Sequence, residues 1–233
     1  MKSINNSSII SKNKLNKKRL AINNGFKKLI NPNIPEIEFD DTEILYISNP
    51  YDCKLRNKWI SKTKDITHIC DAYACIGGDT IQFMALKPNA KIDAIQLVDN
   101  NKELKKRYNR LKKNISNFSY INPNVKSYPL SISEFILKKK CKTVDFLYCD
   151  PPWADLNNNW YDCQTLVSQL IANIILPLNK VKHYPKYICF KVPYEWNEFK
   201  IILNNFKNYK LKLSLNFYYN NYWMHIIKLK KKI

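Results

Sequence analysis

The chain has 233 residues and carries 39 basic against 19 acidic side chains, a formal net charge of +20. That length fits one domain with a sizeable core, and no apolar run approaches membrane-spanning length, so a soluble chain with no membrane partner is expected. The basic excess creates a field that attracts polyanions, although Lys, Asn and Ile abound throughout, as an AT-rich genome would also produce.

Residues 1–30 hold no acidic residue and open without the apolar core of a signal peptide. Ser7 to Lys18 reads as a flexible basic arm. Lys14 to Ile30 could instead form a short basic helix, with Leu15, Leu20, Ile22, Phe26 and Leu29 on one side. Pro32 and Pro35 mark a break, and a helix over Asp52 to Ser61 is expected to bury Leu55, Trp59 and Ile60. From Thr67 strand and helix alternate. Strands are predicted at Thr67–Ala72, Ile92–Val98, Val125–Leu130, Val144–Cys149 and Tyr187–Val192. Helices are predicted at Asp79–Leu86, Lys102–Asn114, Ser131–Lys139, Cys163–Leu176 (ended by Pro177) and Glu195–Asn205. Two last strands, Leu211–Tyr218 and Tyr222–Leu229, are joined by Asn220-Asn221, residues that accept the left-handed conformations of a tight hairpin. Three regions follow: an arm at 1–30, a helical extension over the active site at 31–66, and an α/β domain at 67–233.

Five βα repeats imply a parallel sheet with helices on both faces, and the closing hairpin adds an antiparallel strand to it. This is the layout of the seven-stranded, Rossmann-like sheet of S-adenosylmethionine-dependent methyltransferases. Seven cysteines stand without a Cys-x-x-Cys pair, several of them in predicted strands (Cys70, Cys149, Cys189). They are expected to be reduced thiols in an intracellular, reducing compartment, nuclear or cytoplasmic. His68, His183 and His225 stand apart, so no metal site is expected.

Two segments carry chemistry. Only three glycines occur, and Gly77-Gly78 are adjacent, after the first strand and before its helix. Glycine tolerates positive φ and close ligand approach, the next helix offers free N–H groups, and ligands bind beyond the carboxyl ends of such strands. Asp99, after the second strand, is placed to accept ribose hydroxyls, or else caps the following helix, a role Asn100 or Asn101 could fill. Asp71 suits the cationic end of a bound S-adenosylmethionine. The second segment is Asp150-Pro151-Pro152-Trp153. Its prolines fix the backbone and remove two N–H donors. Asp150 and the Pro151 carbonyl could then accept the hydrogens of an exocyclic amine and aim its lone pair at a methyl group. Trp153 could stack on a base, most strongly a cationic one such as 7-methylguanine. Trp160, Tyr161, Tyr194 and Trp196 are candidates to wall the pocket. The plain alternatives are a tight turn and a Pro-Pro turn with a core Trp.

These residues resemble the RNA cap guanine-N2 methyltransferases of the trimethylguanosine-synthase type. That family has a turn of the form Asp-Ala-Phe-Cys-Gly-Val-Gly-Gly-Asn-Thr-Ile-Gln-Phe, where this chain has Asp71-Ala-Tyr-Ala-Cys-Ile-Gly-Gly-Asp-Thr-Ile-Gln-Phe83. The family's Pro-Pro-Trp follows here at Asp150 to Trp153, its C-terminal segment resembles Asn216 to Tyr222, and its aromatic-Ser-x-x-Pro segment resembles Leu45 to Pro50. The similarity spans about residues 45 to 230. It implies an S-adenosylmethionine donor and no metal. Asp71, Tyr73, Gly77, Gly78, Thr80, Asp99 and Ser131 would hold the donor. The implied acceptor is a 7-methylguanosine RNA cap methylated at the guanine 2-amino group. Asp150, Pro151 and Trp153 would be the catalytic residues, with Trp153, Pro152, Lys191 and Tyr194 toward the substrate and a basic N-terminal segment over the cap phosphates. A monomer is expected. The chain departs from the pattern at Cys75 (family Gly), Asp150 (family Ser) and Ala154-Asp155 (family Gly-Gly). Tyr194 replaces an Arg, so Lys191 or an N-terminal Lys would meet the phosphate. Leu130-Ser131 stands where the family has an adenine-holding acid. Asp-Pro-Pro-Trp also marks N6-adenine methyltransferases of RNA or DNA, and a catalytically silent RNA-binding subunit is the third reading.

Overall fold

The computed structural model describes residues 12–45, 47–138, 143–153, 159, 161–193, 196–219 and 222–231. Helix α1 (Lys12–Leu29), a 3-10 turn (Glu43–Leu45) and α2 (Lys54–Lys62) precede β1 (His68–Asp71), α3 (Gly78–Leu86), β2 (Lys91–Ile95), α4 (Lys102–Phe118), β3 (Val125–Tyr128), α5 (Ile132–Leu137) and β4 (Phe146–Cys149). Then come α6 (Cys163–Leu170), a π-helical turn (Ile171–Ile175), α7 (Leu176–Lys180), β5 (Tyr187–Val192), α8 (Trp196–Asn204), β6 (Tyr209–Tyr219) and β7 (Tyr222–Lys231).

The strands form one seven-stranded sheet in the order β3-β2-β1-β4-β5-β7-β6. β1 through β5 run parallel, and β7 lies antiparallel between β5 and β6. This is the expected Rossmann-like methyltransferase sheet with its C-terminal hairpin. The hairpin's Asn220-Asn221 link lies outside the described residues. β1, β4 and β5 are buried along their whole lengths, as central parallel strands covered on both faces must be. One core joins α1, α2 and α3 to one face of the sheet. The other joins α5, α6 and α8 to the opposite face.

Several boundaries and faces differ from the sequence expectation, each for a local reason. α1 is a packed helix in which Ile22 and Phe26 are buried, while Leu20 is 62% exposed. Leu20 lies two residues, or 200° of helical turn, from Ile22 and so points the other way. In α2 the buried set is Arg56, Asn57 and Ile60; Leu55 is exposed, because Arg56 shares the i, i+4 face with Ile60 and brings a polar network inside. β3 stops at Tyr128 because Pro129 has no N–H to donate. The chain continues past Pro177, which sits in the first turn of α7. The preceding π-helical turn has already shifted the hydrogen-bond register where a donor is missing. Cys53, Cys70, Cys75, Cys149, Cys163 and Cys189 carry free thiols.

Candidate functional site

Sheet register brings the candidate residues together. Asp71, the last residue of β1, pairs with Tyr148 on β4, so Asp150 comes two residues further along at the same edge. Cys149 pairs with Phe190 on β5, which sets Lys191 beside Asp150. Val192 pairs with Trp223, which delivers Tyr222, at the start of β7, to the same place. The site therefore gathers at the carboxyl ends of β1, β4 and β5, where open α/β sheets bind ligands.

The turn after β1 is tightly specified. Gly77 has φ +100°, and Cys75 has φ +50°. Cys75 thus holds a left-handed conformation that glycine adopts more readily, at the cost of order 1–3 kcal/mol such geometry carries. The glycines open toward protein: a Cβ on Gly77 would lie 3.1 Å from Leu111, and one on Gly78 would lie 3.2 Å from Ile47. Their contribution is the shape of the turn. Beside it, Thr80 Oγ1 donates to Asp71 Oδ2 at 2.7 Å. Asp71 is 1% exposed, and its Oδ1 is buried with no hydrogen-bond partner among the described residues. A buried, half-satisfied carboxylate is costly unless a cationic donor meets it. Burial, reinforced by the Asp79 carboxylate, pushes Asp71 up to about 7.

The second half of the site is an ion pair under an aromatic pair. Lys191 Nζ lies 2.6 Å from Asp150 Oδ2 and donates to Ser48 Oγ at 2.9 Å. It stands 5.5 Å from the Trp153 ring centre and 4.8 Å from that of Tyr222. The two rings are 6.0 Å apart, and Tyr222 is tied down by its hydroxyl, which donates to the Asp52 carbonyl at 2.7 Å. Burial alone would lower the Lys191 pKa, but the Asp150 and Asp79 carboxylates outweigh it and hold the ammonium above its usual value. Pro151 is buried, Pro152 exposed and Trp153 half-buried.

Sequence reading missed the layer that joins these halves. Arg56 is fully buried between the rings of Phe83 and Tyr148, 4.9 and 4.7 Å from their centres. Its NH1 meets Asp79 Oδ1 at 2.5 Å and its NH2 donates to Gln82 Oε1 at 2.8 Å. Gln82 Nε2 in turn donates to the Ser48 carbonyl at 2.9 Å. The signal was present: Asp79 and Gln82 lie in α3 among the apolar Ile81, Phe83 and Met84, and a buried polar pair there demands a partner.

Other predicted residues are placed differently. Asp99 is exposed, and its Oδ1 accepts from the Asn101 N–H at 2.6 Å; Asn101 is the cap of α4, so Asp99 is not needed for that role. Ser131 caps α5: its hydroxyl and N–H both engage Glu134 in a capping box, which commits the atoms expected to face a cofactor. Lys191, expected to meet a phosphate, is buried against Asp150. Tyr73 is half-buried against the second core. Tyr161 donates its N–H to the Trp153 carbonyl at 2.9 Å. Trp196 opens α8, and Tyr194 and Trp160 lie outside the described residues. Among the described residues no cluster of His, Cys, Asp or Glu could hold a metal ion, and no helix is long and apolar enough to cross a membrane.

No protein-family model and no curated protein sequence matches the chain. Solved structures do. The delta-N METTL16 MTase domain superposes with a TM-score of 0.65 at 12% identity over 92% of this chain and 96% of that one. The human methyltransferase 10 domain containing protein gives 0.61 at 12% identity, again over 92% and 96%. SMU.776, solved in complex with SAH, gives 0.56 at 10% identity over 76% of this chain and 49% of that chain. At such low identity the likeness concerns the fold, which is that of the Rossmann-like methyltransferases.

Proposed function

We propose that this protein transfers a methyl group from S-adenosylmethionine to an exocyclic amine of a nucleobase, and that its acceptor is the 2-amino group of the 7-methylguanosine cap of RNA. The observation that carries the reading is the meeting of the Asp71 carboxylate, buried with one oxygen unsatisfied, and the Asp150-to-Trp153 turn on adjacent strand ends. The first fits the cationic methionine end of the cofactor, and the second fits a flat base bearing an N–H donor. The likeness to SMU.776, which was solved with the demethylated cofactor, supports the same donor.

Asp71 and the shaped turn at Cys75 to Gly78 would hold the cofactor, and Asp99 would take its ribose hydroxyls. The bound cofactor supplies an electrophilic methyl group on its sulfonium. Lys191 fixes Oδ2 of Asp150, which leaves Oδ1 and the Pro151 carbonyl to accept the two amine hydrogens. Held this way, the nitrogen lone pair would be free to take the methyl group, a C–N bond forming as the donor's S–C bond breaks and the nitrogen giving up one proton to solvent. Positioning supplies most of the acceleration in such a transfer. Trp153 stacks on the base, and the Lys191–Asp150 pair, neutral as a unit, lets a cationic base approach that ring. The protein acts as a monomer on capped RNA in a reducing compartment.

The test is incubation with methyl-labelled S-adenosylmethionine and, in parallel, 7-methyl-GTP, GTP and an adenine-containing oligonucleotide. Label on 7-methyl-GTP supports the proposal. Label on the oligonucleotide alone moves the acceptor to adenine N6, and cofactor binding without any transfer points to a silent binding subunit.

A further inference from the structure

α4 carries seven basic residues and one acidic residue in its 17 positions. Lys102, Lys105, Lys106, Asn109, Arg110 and Lys113 share one side of it and, with Glu38, line a surface groove of about 460 Å³. The N-terminal segment neutralises one end. Lys106 pairs with Asp40 at 2.5 Å, Arg110 with Asp40 at 3.3 Å and also with Glu43, and Lys113 with Glu38 at 2.8 Å. Five cations thus face three carboxylates. Lys102 and Lys105 are exposed and have no carboxylate within ion-pair distance among the described residues.

Stability does not explain the arrangement. Lys102 lies three residues from Lys105, a spacing at which like charges destabilise a helix, and it stands in the first turn, where the helix dipole disfavours a cation. A bound polyanion would relieve that repulsion. From Lys102 to Lys113 the stripe runs about 16 Å at 1.5 Å per residue, long enough for two or three phosphates of a single strand. It begins just after Asp99, at the end of the sheet where the candidate site lies.

We infer that the α4 groove binds the phosphate backbone of single-stranded RNA, through Lys102 and Lys105, as a surface separate from the base-binding turn. The inference rests on the proposed function for its biological sense, since it gives the RNA body a seat outside the methyl-accepting pocket. It does not need that reading to be tested.

The experiment measures the affinity of the full chain for an uncapped, mixed-sequence 20-nucleotide RNA over a range of salt. The proteins compared are the wild type, Lys102→Glu/Lys105→Glu, and Lys210→Glu/Lys212→Glu, a control of equal charge change at exposed positions on β6 at the far edge of the sheet. The groove variant is expected to bind at least about tenfold more weakly, and the slope of log K against log salt is expected to fall by about 1.4, two phosphates at 0.7 each. The control keeps both values, and methylation of 7-methyl-GTP, which has no RNA body, is the same in all three proteins. Unchanged RNA affinity in the groove variant overturns the inference. So does an equal loss in Lys210→Glu/Lys212→Glu, which would mean that bulk charge alone attracts RNA. Absence of 7-methyl-GTP methylation in the wild type would count against the proposed acceptor and would leave the binding comparison intact.

Discussion

Replacing Asp71 with Asn should stabilise the protein and abolish its cofactor binding. Asp71 is buried, has one oxygen satisfied by Thr80 and the other by no described residue, and sits near Asp79, whose charge is anchored by Arg56. Burial first, then Asp79, raise its pKa from 3.8 to about 7, against the pull of Thr80 and Arg56. The sign follows from proton binding. Between those two values the folded protein keeps a proton that the unfolded chain has lost, so stability falls as pH rises from about 4 to about 7 and levels off above. Three pH units at about 1.4 kcal/mol each set an upper bound near 4 kcal/mol. Asn escapes that loss but leaves an amide N–H without a partner, at about 1–3 kcal/mol. The net expectation at pH 8 is a gain of about 1–3 kcal/mol, or several degrees in Tm for a chain of this size, which passes through zero as the pH falls and becomes a loss of about 1–3 kcal/mol at pH 4, where only the amide cost remains. Urea denaturation of both proteins at pH 4, 5, 6, 7 and 8 measures the difference, and titration calorimetry with S-adenosylmethionine measures binding. Parallel stability profiles across pH would refute the charge argument. Retained cofactor affinity in Asp71→Asn would refute the site.

Lys191→Met strands the Asp150 carboxylate in a buried setting and should cost about 3–5 kcal/mol by denaturation; adding Asp150→Asn should restore most of it, and no restoration would show that the ammonium's packing against Trp153 and Tyr222 is what matters. Trp153→Ala should abolish turnover and weaken 7-methyl-GTP binding by about 1–3 kcal/mol while calorimetry finds cofactor affinity near wild type; equal loss of both would make Trp153 a structural residue. Gly77→Ala places a Cβ at φ +100° and 3.1 Å from Leu111, so denaturation should show a loss of about 2 kcal/mol, and an unchanged protein would mean the turn relaxes to another shape.

Local periodicity and strand order carried most of the fold. The alternation of buried runs such as Val144 to Cys149 with amphipathic helices fixed the parallel sheet, and the Asn220-Asn221 signal lay between two strands that pair as a hairpin. The helical extension was harder to read. Leu20 and Leu55 look like core residues by composition, yet α1 buries Ile22 and Phe26 instead, and α2 buries Arg56 and Asn57, whose partners Asp79 and Gln82 lie more than 20 residues away. Long-range polar satisfaction leaves no periodic trace. The same reason hid the Lys191–Asp150 pair, 41 residues apart in sequence and neighbours only through the β4–β5 register. Ser131 was ambiguous for the opposite reason. Ser followed three residues later by Glu is a helix-start signature, and that local demand claims its atoms.

The most direct test of the central claim is mass spectrometry of 7-methyl-GTP after incubation with the protein and S-adenosylmethionine bearing a deuterated methyl group. The account predicts the heavy methyl on the guanine 2-amino nitrogen, and its loss in Asp71→Asn and Trp153→Ala. An unmodified nucleotide, alongside adenine methylated in a parallel oligonucleotide or no product at all, would contradict it.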